Sequence, residues 1–401
     1  MTINPTIHKK RNLLGEAQGK KRDEFYTQLR DIEKELILYK EHFKNKVVYC
    51  NCDDPLWSNF FLFFVLNFNS LGLRGLIATC YSGSLSSDKA LKAVVWHVPE
   101  HLIPADYDAG LDDATRFINE PQGKRRGKAS NVESPPIVDF DALFSHDGNE
   151  LTELTGDGDF RSPECVELLR HADIICTNPP FSLFREYIAL LMEHEKKFIV
   201  MGNLNAVTYS NFFPLLKEQI VHLGTSIGSG DKKFNVPDSY EINAASGGID
   251  ENGRKYIRFK NVRWYHNLHD DVERPFIKLT QRYDPKKYPR YLNCDAIEVG
   301  QVANIPYDYD GNMGVPITFM DKWNPQQFTI IGDSRDDYIP IQRVAKPDDK
   351  YISSGASLFI RTGEHELRSL YRRIIIIRNL HVVAEGKRGE MARISALNKE
   401  E

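Results

Sequence analysis

The chain has 401 residues, of which 41% are hydrophobic and 27% charged, and it carries a formal net charge of -4. These values describe an ordinary folded, water-soluble chain with room for one large domain and a smaller lobe. They exclude a constitutive nucleic-acid coat protein, which would be strongly basic, but not an enzyme that meets a polyanion through a local patch. The greasiest run, Phe60 to Leu66, is too short to cross a bilayer, and Met1-Thr2-Ile3-Asn4 leads into no apolar signal core. The six cysteines include one close pair, Cys50 and Cys52, with no second pair or His pair at zinc-ligand spacing. Reduced thiols, a cytoplasmic location and no metal are expected.

Residues 1–22 are polar, basic and aperiodic, and read as a loose arm. Ile32, Leu36, Tyr39 and Phe43 then recur at helical spacing, which predicts a helix over Asp31–Phe43 opened by Asp31. Lys46–Cys50 predicts a buried strand, Pro55–Phe68 a helix with proline at its start, and Arg74–Cys80 a second strand. Between Leu85 and Leu154 the pattern breaks, with one strand-like run at Ala93–Val98, so an insertion is expected over about 97–150. Strands at Asp173–Thr177 and Lys197–Met201 follow, each leading into a helix, over Ser182–His194 and Tyr209–Lys217. Such alternation indicates a doubly wound α/β core around a parallel sheet, expected over 23–225. Beyond about 225 the texture turns to Gly, Asn and aromatic residues, with turn signals at Gly247-Gly248 and Asp310-Gly311-Asn312. A mostly β lobe is expected over 226–401, with a buried strand at the isoleucine run of Arg372–Arg378.

The sharpest chemical signal is Thr177-Asn178-Pro179-Pro180-Phe181, directly after the strand Asp173-Ile174-Ile175-Cys176. Two prolines in a row donate no backbone hydrogen bonds, so the strand stops there with its carbonyls free. The Asn178 side-chain oxygen and the Pro179 carbonyl then offer two acceptors in fixed geometry. An exocyclic amine has two N–H donors and a poorly available lone pair. Two acceptors hold both hydrogens and turn that lone pair towards an electrophile. Phe181 offers a face on which a base that has left the duplex can stack. The bland alternative is a turn that merely ends a strand; the aromatic behind it and the helix that follows weigh against it.

Positive charge is concentrated locally. Arg254 to Arg290 hold eleven Lys or Arg against four Asp or Glu, and Arg258 to Tyr265 interleave charge with aromatic rings. Lys124-Arg125-Arg126-Gly127-Lys128 is a second basic stretch, flanked by Gly, Ser and Pro and expected to be an exposed loop. Solvated strand faces look similar, but with the charge excess Lys124, Arg125, Arg126, Arg258, Lys260 and Arg263 are expected to meet phosphates of double-stranded DNA.

The Asn-Pro-Pro-Phe segment resembles the motif of amino-group methyltransferases, in the form more typical of adenine N6 enzymes. Asp23-Glu24-Phe25-Tyr26-Thr27-Gln28 looks like their N-terminal motif, and Gly156-Asp157-Gly158-Asp159-Phe160 like their adenine-binding segment. The chain further resembles the EcoRI-type adenine methyltransferases along most of its length, on Lys21–Glu35, Lys46–Pro55, Gly158–Ser162, Asn178–Phe181 and Gly314–Asn324. The resemblance implies a Rossmann-like S-adenosylmethionine-dependent core with a target-recognition lobe, acting in restriction–modification. It implies that Tyr26, Thr27, Asp159, Phe160 and Asn178 bind the cofactor, with Asp159 on its adenine amine and Phe160 against its ring. Asn178, Pro179, Pro180 and Phe181 are the implied catalytic residues, acting on an adenine flipped out of duplex DNA. It also suggests GAATTC or a relative as the recognition sequence, a monomer, a bacterial or phage-infected host, and leaves a restriction endonuclease partner open.

Two departures from the wider superfamily stand out. The usual glycine-rich turn after the first strand is replaced by Cys50-Asn51-Cys52-Asp53-Asp54-Pro55. These aspartates either meet the amine of the cofactor's methionine end or cap a helix beginning at Pro55; Asp53 is assigned to the cofactor and Asp54 stays open. The acidic residue expected for the ribose hydroxyls is missing, since the second strand ends in Thr79-Cys80-Tyr81. Gly202-Asn203-Leu204-Asn205 is expected either at the rim of the base pocket or as a loop whose asparagines bond the backbone, and Lys233-Phe234-Asn235 as a second wall. Competing functions are methylation of another planar amine (cytosine N4, RNA adenine, protein glutamine) and a DNA-binding decoy without turnover. The basic, aromatic-rich segment disfavours glutamine, and the intact Asn178 to Phe181 disfavours the decoy.

Overall fold

The computed structural model describes residues 26–82, 89–108, 137–226, 231–236, 247–250, 253–269, 274–336, 338–352 and 357–379. The basic stretch at 124–128 and the arm at 1–22 lie outside the described residues. Two compact units divide the chain, one of residues 1–206 and 219–270, the other of residues 207–218 and 271–401.

The first unit contains, in chain order, β1 (Tyr26–Thr27), α1 (Leu29–Leu36), β2 (Val47–Cys50), α2 (Asn59–Leu66), β3 (Gly75–Thr79), β4 (Leu91–Val95) and β5 (Glu150–Glu153). These are followed by α3 (Pro163–His171), β6 (Ile174–Thr177), α4 (Phe184–Glu193), β7 (Lys197–Asn203), β8 (His222–Leu223), β9 (Asp231–Asn235), β10 (Gly247–Ile249), β11 (Lys255–Lys260) and β12 (Val262–His266). Eight of the strands form one mixed sheet in the order β5-β4-β3-β2-β6-β7-β12-β8. The central four, β3-β2-β6-β7, are parallel, and antiparallel pairs extend the sheet at both ends. The sequences explain the placement. β2, β3 and β6 are apolar runs buried at every position, as strands covered on both faces must be, whereas edge strand β5 (ELTE) is largely exposed.

Alternation along β2 divides the packing. Val48 and Cys50 join a core with Ile32, Leu36, Phe60, Phe64 and Trp264. Tyr49 faces the other way, its hydroxyl 2.8 Å from that of Thr79, and Asn51 reaches Tyr187 on α4. The chain leaves β2 for β3 on one side and returns to β6 on the other. In α/β sheets such a reversal of strand order opens a crevice beyond the carboxyl ends of the strands.

Several boundaries differ from expectation for local reasons. The helix expected from Pro55 begins at Asn59: the Asp54 carbonyl and carboxylate take the N–H groups of Leu56, Trp57 and Ser58, and Ser58 then caps α2 through the Phe60 N–H. The helix expected over 31–43 is α1, a 3-10 turn at Ile37–Tyr39 and a short helix at Lys40–Phe43, with Asp31 inside the first turn. Gly247-Gly248 lies in β10 rather than in a turn, paired with Ile257 and Tyr256 of β11, and a Cβ on Gly248 would meet the Tyr256 hydroxyl at 2.8 Å. The first unit also runs past residue 225, since β12 pairs with β7 and β9 joins a second sheet, β1-β9-β11-β10. The inner face of that sheet sends Phe234, Ile257 and Phe259 into the same core.

The second unit is built around a four-stranded sheet of β13 (Ile297–Glu298), β14 (Met313–Pro316), β18 (Arg373–Arg378) and β15 (Phe328–Asp333), in that order, with a hairpin of β16 (Phe359–Arg361) and β17 (Leu367–Ser369). The isoleucine strand β18 is central and largely buried, as its sequence predicts.

At the amino ends of the parallel strands, Asp173 accepts the Val47 N–H at 2.8 Å and pairs with Arg74 at 2.9 Å. Asp173→Ala leaves that N–H without its acceptor and should cost about 1–2 kcal/mol in urea unfolding, without altering chemistry at the opposite end of the sheet. Lost function at unchanged stability would contradict this division of labour.

Candidate active site

The turn Asn178-Pro179-Pro180-Phe181 leaves the carboxyl end of β6, beside the turn that leaves β2. Thr177, Asn178 and Phe181 are all buried. Phe181 is held edge-on to Phe259, with ring centroids 6.0 Å apart, and Phe259 is edge-on to Phe234 at 5.6 Å. Three rings from three segments thus form one aromatic cluster behind the turn. Sequence order alone suggests Phe234 as a wall; Phe259 was missed, and its signal is the inward position between outward-facing Arg258 and Lys260.

Asp53, expected to meet the cofactor, is buried at the end of β2. Its carboxylate is turned into the protein, accepting the Ser58 hydroxyl at 2.5 Å, the Thr177 hydroxyl and the Asn178 backbone N–H. Its own N–H donates to the Thr79 carbonyl at 2.9 Å. Burial pushes the Asp53 carboxyl up to about 7, against the pull of the three donors. Asp54 takes the Leu56 N–H and supports the turn before α2.

Loop 156–160 lies against the end of β3. Gly158 has φ +77°, and a Cβ there would sit 2.1 Å from the Cys80 carbonyl oxygen, so only glycine admits this approach. The Ser82 N–H donates to the Asp157 carbonyl at 2.8 Å. Asp159 is held by its neighbour Arg161, which donates from its backbone and its guanidinium at 2.6–2.9 Å. Phe160 is buried edge-on to Tyr187, 5.0 Å between centroids, and the Tyr187 hydroxyl donates to Asn51 Oδ1 at 2.5 Å. The ends of β2 and β3, the Asp159-Phe160 loop and the β6 turn are therefore one connected neighbourhood.

β1 brings in the amino-terminal motif. Tyr26 and Thr27 pair with Asn235 and Phe234, the Thr27 hydroxyl lies 3.1 Å from Met201 Sδ, and Asn59 donates to the Thr27 carbonyl at 2.7 Å. Asn203 accepts the Asn205 N–H and donates to the Lys260 carbonyl, which is the backbone-bonding alternative for that loop.

The outer face of the smaller sheet is basic. Arg258 and Lys260 are exposed on β11, and Lys233 pairs with Arg258 across the ladder. The Lys233 ammonium lies 4.5 Å from the centre of the Tyr256 ring, and Arg258 donates to the Tyr256 hydroxyl at 2.8 Å. Arg263 does not join them. It is 1% exposed, on a strand enclosed between β7 and β8, and donates to the Val262 carbonyl at 2.7 Å, so it cannot reach a phosphate at the surface. Lys124, Arg125 and Arg126 lie outside the described residues.

Gly158→Ala introduces both the clash with Cys80 and a left-handed backbone that alanine resists, so it should lower unfolding stability by more than about 1 kcal/mol. Unchanged stability in urea titration would mean that the loop rests elsewhere.

Comparison with known proteins gives the family. Residues 13–379 match the family described as adenine-specific methyltransferase EcoRI. The chain is 42% identical over 324 residues to the Type II methyltransferase M.EcoRI of Escherichia coli, covering 80% of this chain and 88% of that protein. It is 32% identical to M.MgeORF184P of Mycoplasma genitalium, covering 79% and 84% of the two chains, and 32% identical to M.MpnI of Mycoplasma pneumoniae, covering 79% and 83%. No solved structure matches it. A match across most of its length shows that the chain belongs to the EcoRI family of adenine-specific methyltransferases.

Proposed function

We propose that this protein transfers the methyl group of S-adenosylmethionine to the N6 amine of an adenine turned out of double-stranded DNA. DNA adenine methyl transfer is the activity of its family. The observation that carries the mechanism is the buried Asn178 to Phe181 turn at the point where strand order reverses. That strand order supports a doubly wound, Rossmann-like reading of the core, and the β-rich second unit supports its reading as a target-recognition lobe.

The residues present fit the cofactor. On the residue whose side-chain oxygen accepts the Tyr187 hydroxyl, Asn51 Nδ2 is buried with no hydrogen-bond partner among the described residues. A buried donor left unmatched is costly, so the end of β2 suits a ligand rich in acceptors. Tyr26, Thr27, Asp159, Phe160 and Asn178 would hold the cofactor, which supplies an electrophilic sulfonium methyl group. Asn178 Oδ1 and the Pro179 carbonyl accept the two amine hydrogens and leave the nitrogen lone pair facing the methyl donor. The same acceptors stabilise the positive charge that grows on the amine. Positioning supplies the rate, and no general base or metal is needed, because the amine proton leaves to solvent after transfer. Phe181, held by Phe259 and Phe234, stacks on the extruded base.

Lys233, Arg258 and Lys260 are placed to meet phosphates, on the sheet whose inner face carries Phe234 and Phe259. No helix among the described residues is long and apolar enough to cross a membrane. The family resemblance suggests action in the cytoplasm, with GAATTC or a relative as the site.

Asn178→Ala should lower kcat by about a hundredfold or more while DNA affinity stays within about threefold, because its contact with the amine strengthens in the transition state. Phe181→Ala removes a stacking surface worth ~1–3 kcal/mol per base, so it should raise KM for DNA and weaken the fluorescence of a base analogue at the target. If Asn178→Ala abolished extrusion while Phe181→Ala changed nothing, the two roles would be wrongly assigned. Replacing both Arg258 and Lys260 by Gln should reduce the salt dependence of DNA affinity by about two ion equivalents. An unchanged slope would make that face a solvated surface only.

A further inference from the structure

We propose that Asp53 is a positioning residue that ties the turn after β6 to the turn after β2, and so holds Asn178 in place against the substrate amine. The inference rests on the reading of Asn178 as the residue that grips that amine.

Pro179 and Pro180 have no N–H, so the Asn178 N–H is the last backbone donor before Phe181. Whatever accepts that donor sets how the turn leaves the strand, and the acceptor is Asp53. The same carboxylate accepts the hydroxyl of Thr177, one residue earlier, and that of Ser58, which caps α2. The Asp53 backbone N–H is anchored on Thr79 at the end of β3. One residue therefore joins the ends of β2, β3 and β6 to the start of α2. A carboxylate that met a cofactor amine would open towards the crevice; Asp53 is 5% exposed, and protein donors take both of its oxygens.

The arrangement suits the ionised form. A carboxylate accepts all three donors, whereas a protonated carboxyl must itself donate. The Ser58 and Thr177 hydroxyls can turn to accept that proton, but the Asn178 N–H cannot reverse and is left with a neutral, weaker acceptor. Protonation therefore loosens the tie. The titratable groups facing Asp53 are Asp54 from the same turn, Cys50 on β2, Cys176 on β6 and Tyr187 on α4. Burial pushes both thiols and the phenol well above their ordinary values, so they stay neutral near pH 7. With the Asp53 carboxyl pushed up to about 7, kcat should rise with pH through that value and then level off.

Stability moves the other way. A carboxyl whose folded value lies above its unfolded value of 3.8 binds its proton more tightly in the native state. Stability therefore falls as pH rises from about 4 to about 7 and is flat beyond, once both states are ionised. Removing the ionisation should relieve that loss.

The test compares Asp53→Asn, Thr177→Val and Thr177→Ser with the parent enzyme, following kcat against pH, calorimetric affinity for S-adenosylmethionine, DNA affinity and thermal unfolding. At about pH 8, Asp53→Asn should lower kcat tenfold or more, keep both affinities within about threefold and unfold at a higher temperature. Its rise in kcat with pH should vanish. Thr177→Val should fall in the same direction, and Thr177→Ser should retain most of what Thr177→Val loses. Thr177→Val decides the matter if Asp53→Asn does not fold. A tenfold or greater loss of S-adenosylmethionine affinity with kcat at saturation kept would make Asp53 a cofactor ligand and overturn the proposal. So would an unchanged kcat and pH profile in both Asp53→Asn and Thr177→Val. Wild-type turnover in Asn178→Ala would instead remove the underlying reading of Asn178, a result separate from either of these.

Discussion

Between Asn178 and Phe181 the backbone has no donor to give, and the rest of the site is arranged around that gap. Two prolines end β6 with carbonyl acceptors and no backbone donors. An exocyclic amine, with two hydrogens to donate, is the natural complement. The geometry is useful only if the turn is held from behind, because it cannot hold itself through its own N–H groups. Asp53, Ser58 and Thr177 form that hold on one side, and the Phe181–Phe259–Phe234 cluster forms it on the other. An ionisable carboxyl so deeply buried lowers stability at neutral pH, a sacrifice expected where a protein maintains a reactive geometry.

The smaller sheet joins two tasks in one element. Period-two alternation sends Phe259 and Ile257 into the core and leaves Arg258 and Lys260 outside. On the proposed reading, the element that touches phosphates is the same one that braces the wall of the base pocket. β9 links β11 to β1, which carries Tyr26 and Thr27, so on that reading phosphate face, base wall and amino-terminal motif share one hydrogen-bonded sheet.

Much of this is legible in the sequence. The parallel core strands announce themselves as short apolar runs, and β2, β3, β6 and β7 lie where those runs are. The Asn-Pro-Pro-Phe turn is visible because proline chemistry is local and strict. What escaped depends on partners far along the chain. Strand β5 (ELTE) is a polar edge strand with no apolar signature, and α3 has too few buried positions for its period to stand out. Arg263 looks like its neighbours Arg258 and Lys260, but β12 inserts between β7 and β8, and only the pairing reveals its burial. Asp53 illustrates the same limit. An aspartate in a turn after a strand reads as a ligand or a cap, and the Thr177 hydroxyl that claims it lies 124 residues away.

The most direct test is to incubate unmethylated duplex DNA with the protein and S-adenosylmethionine carrying an isotopically labelled methyl group. The DNA is then digested to nucleosides and the product identified by mass spectrometry. The account predicts labelled N6-methyladenine that depends on the protein and disappears with Asn178→Ala. Labelled N4-methylcytosine, or no labelled base at all, would contradict it.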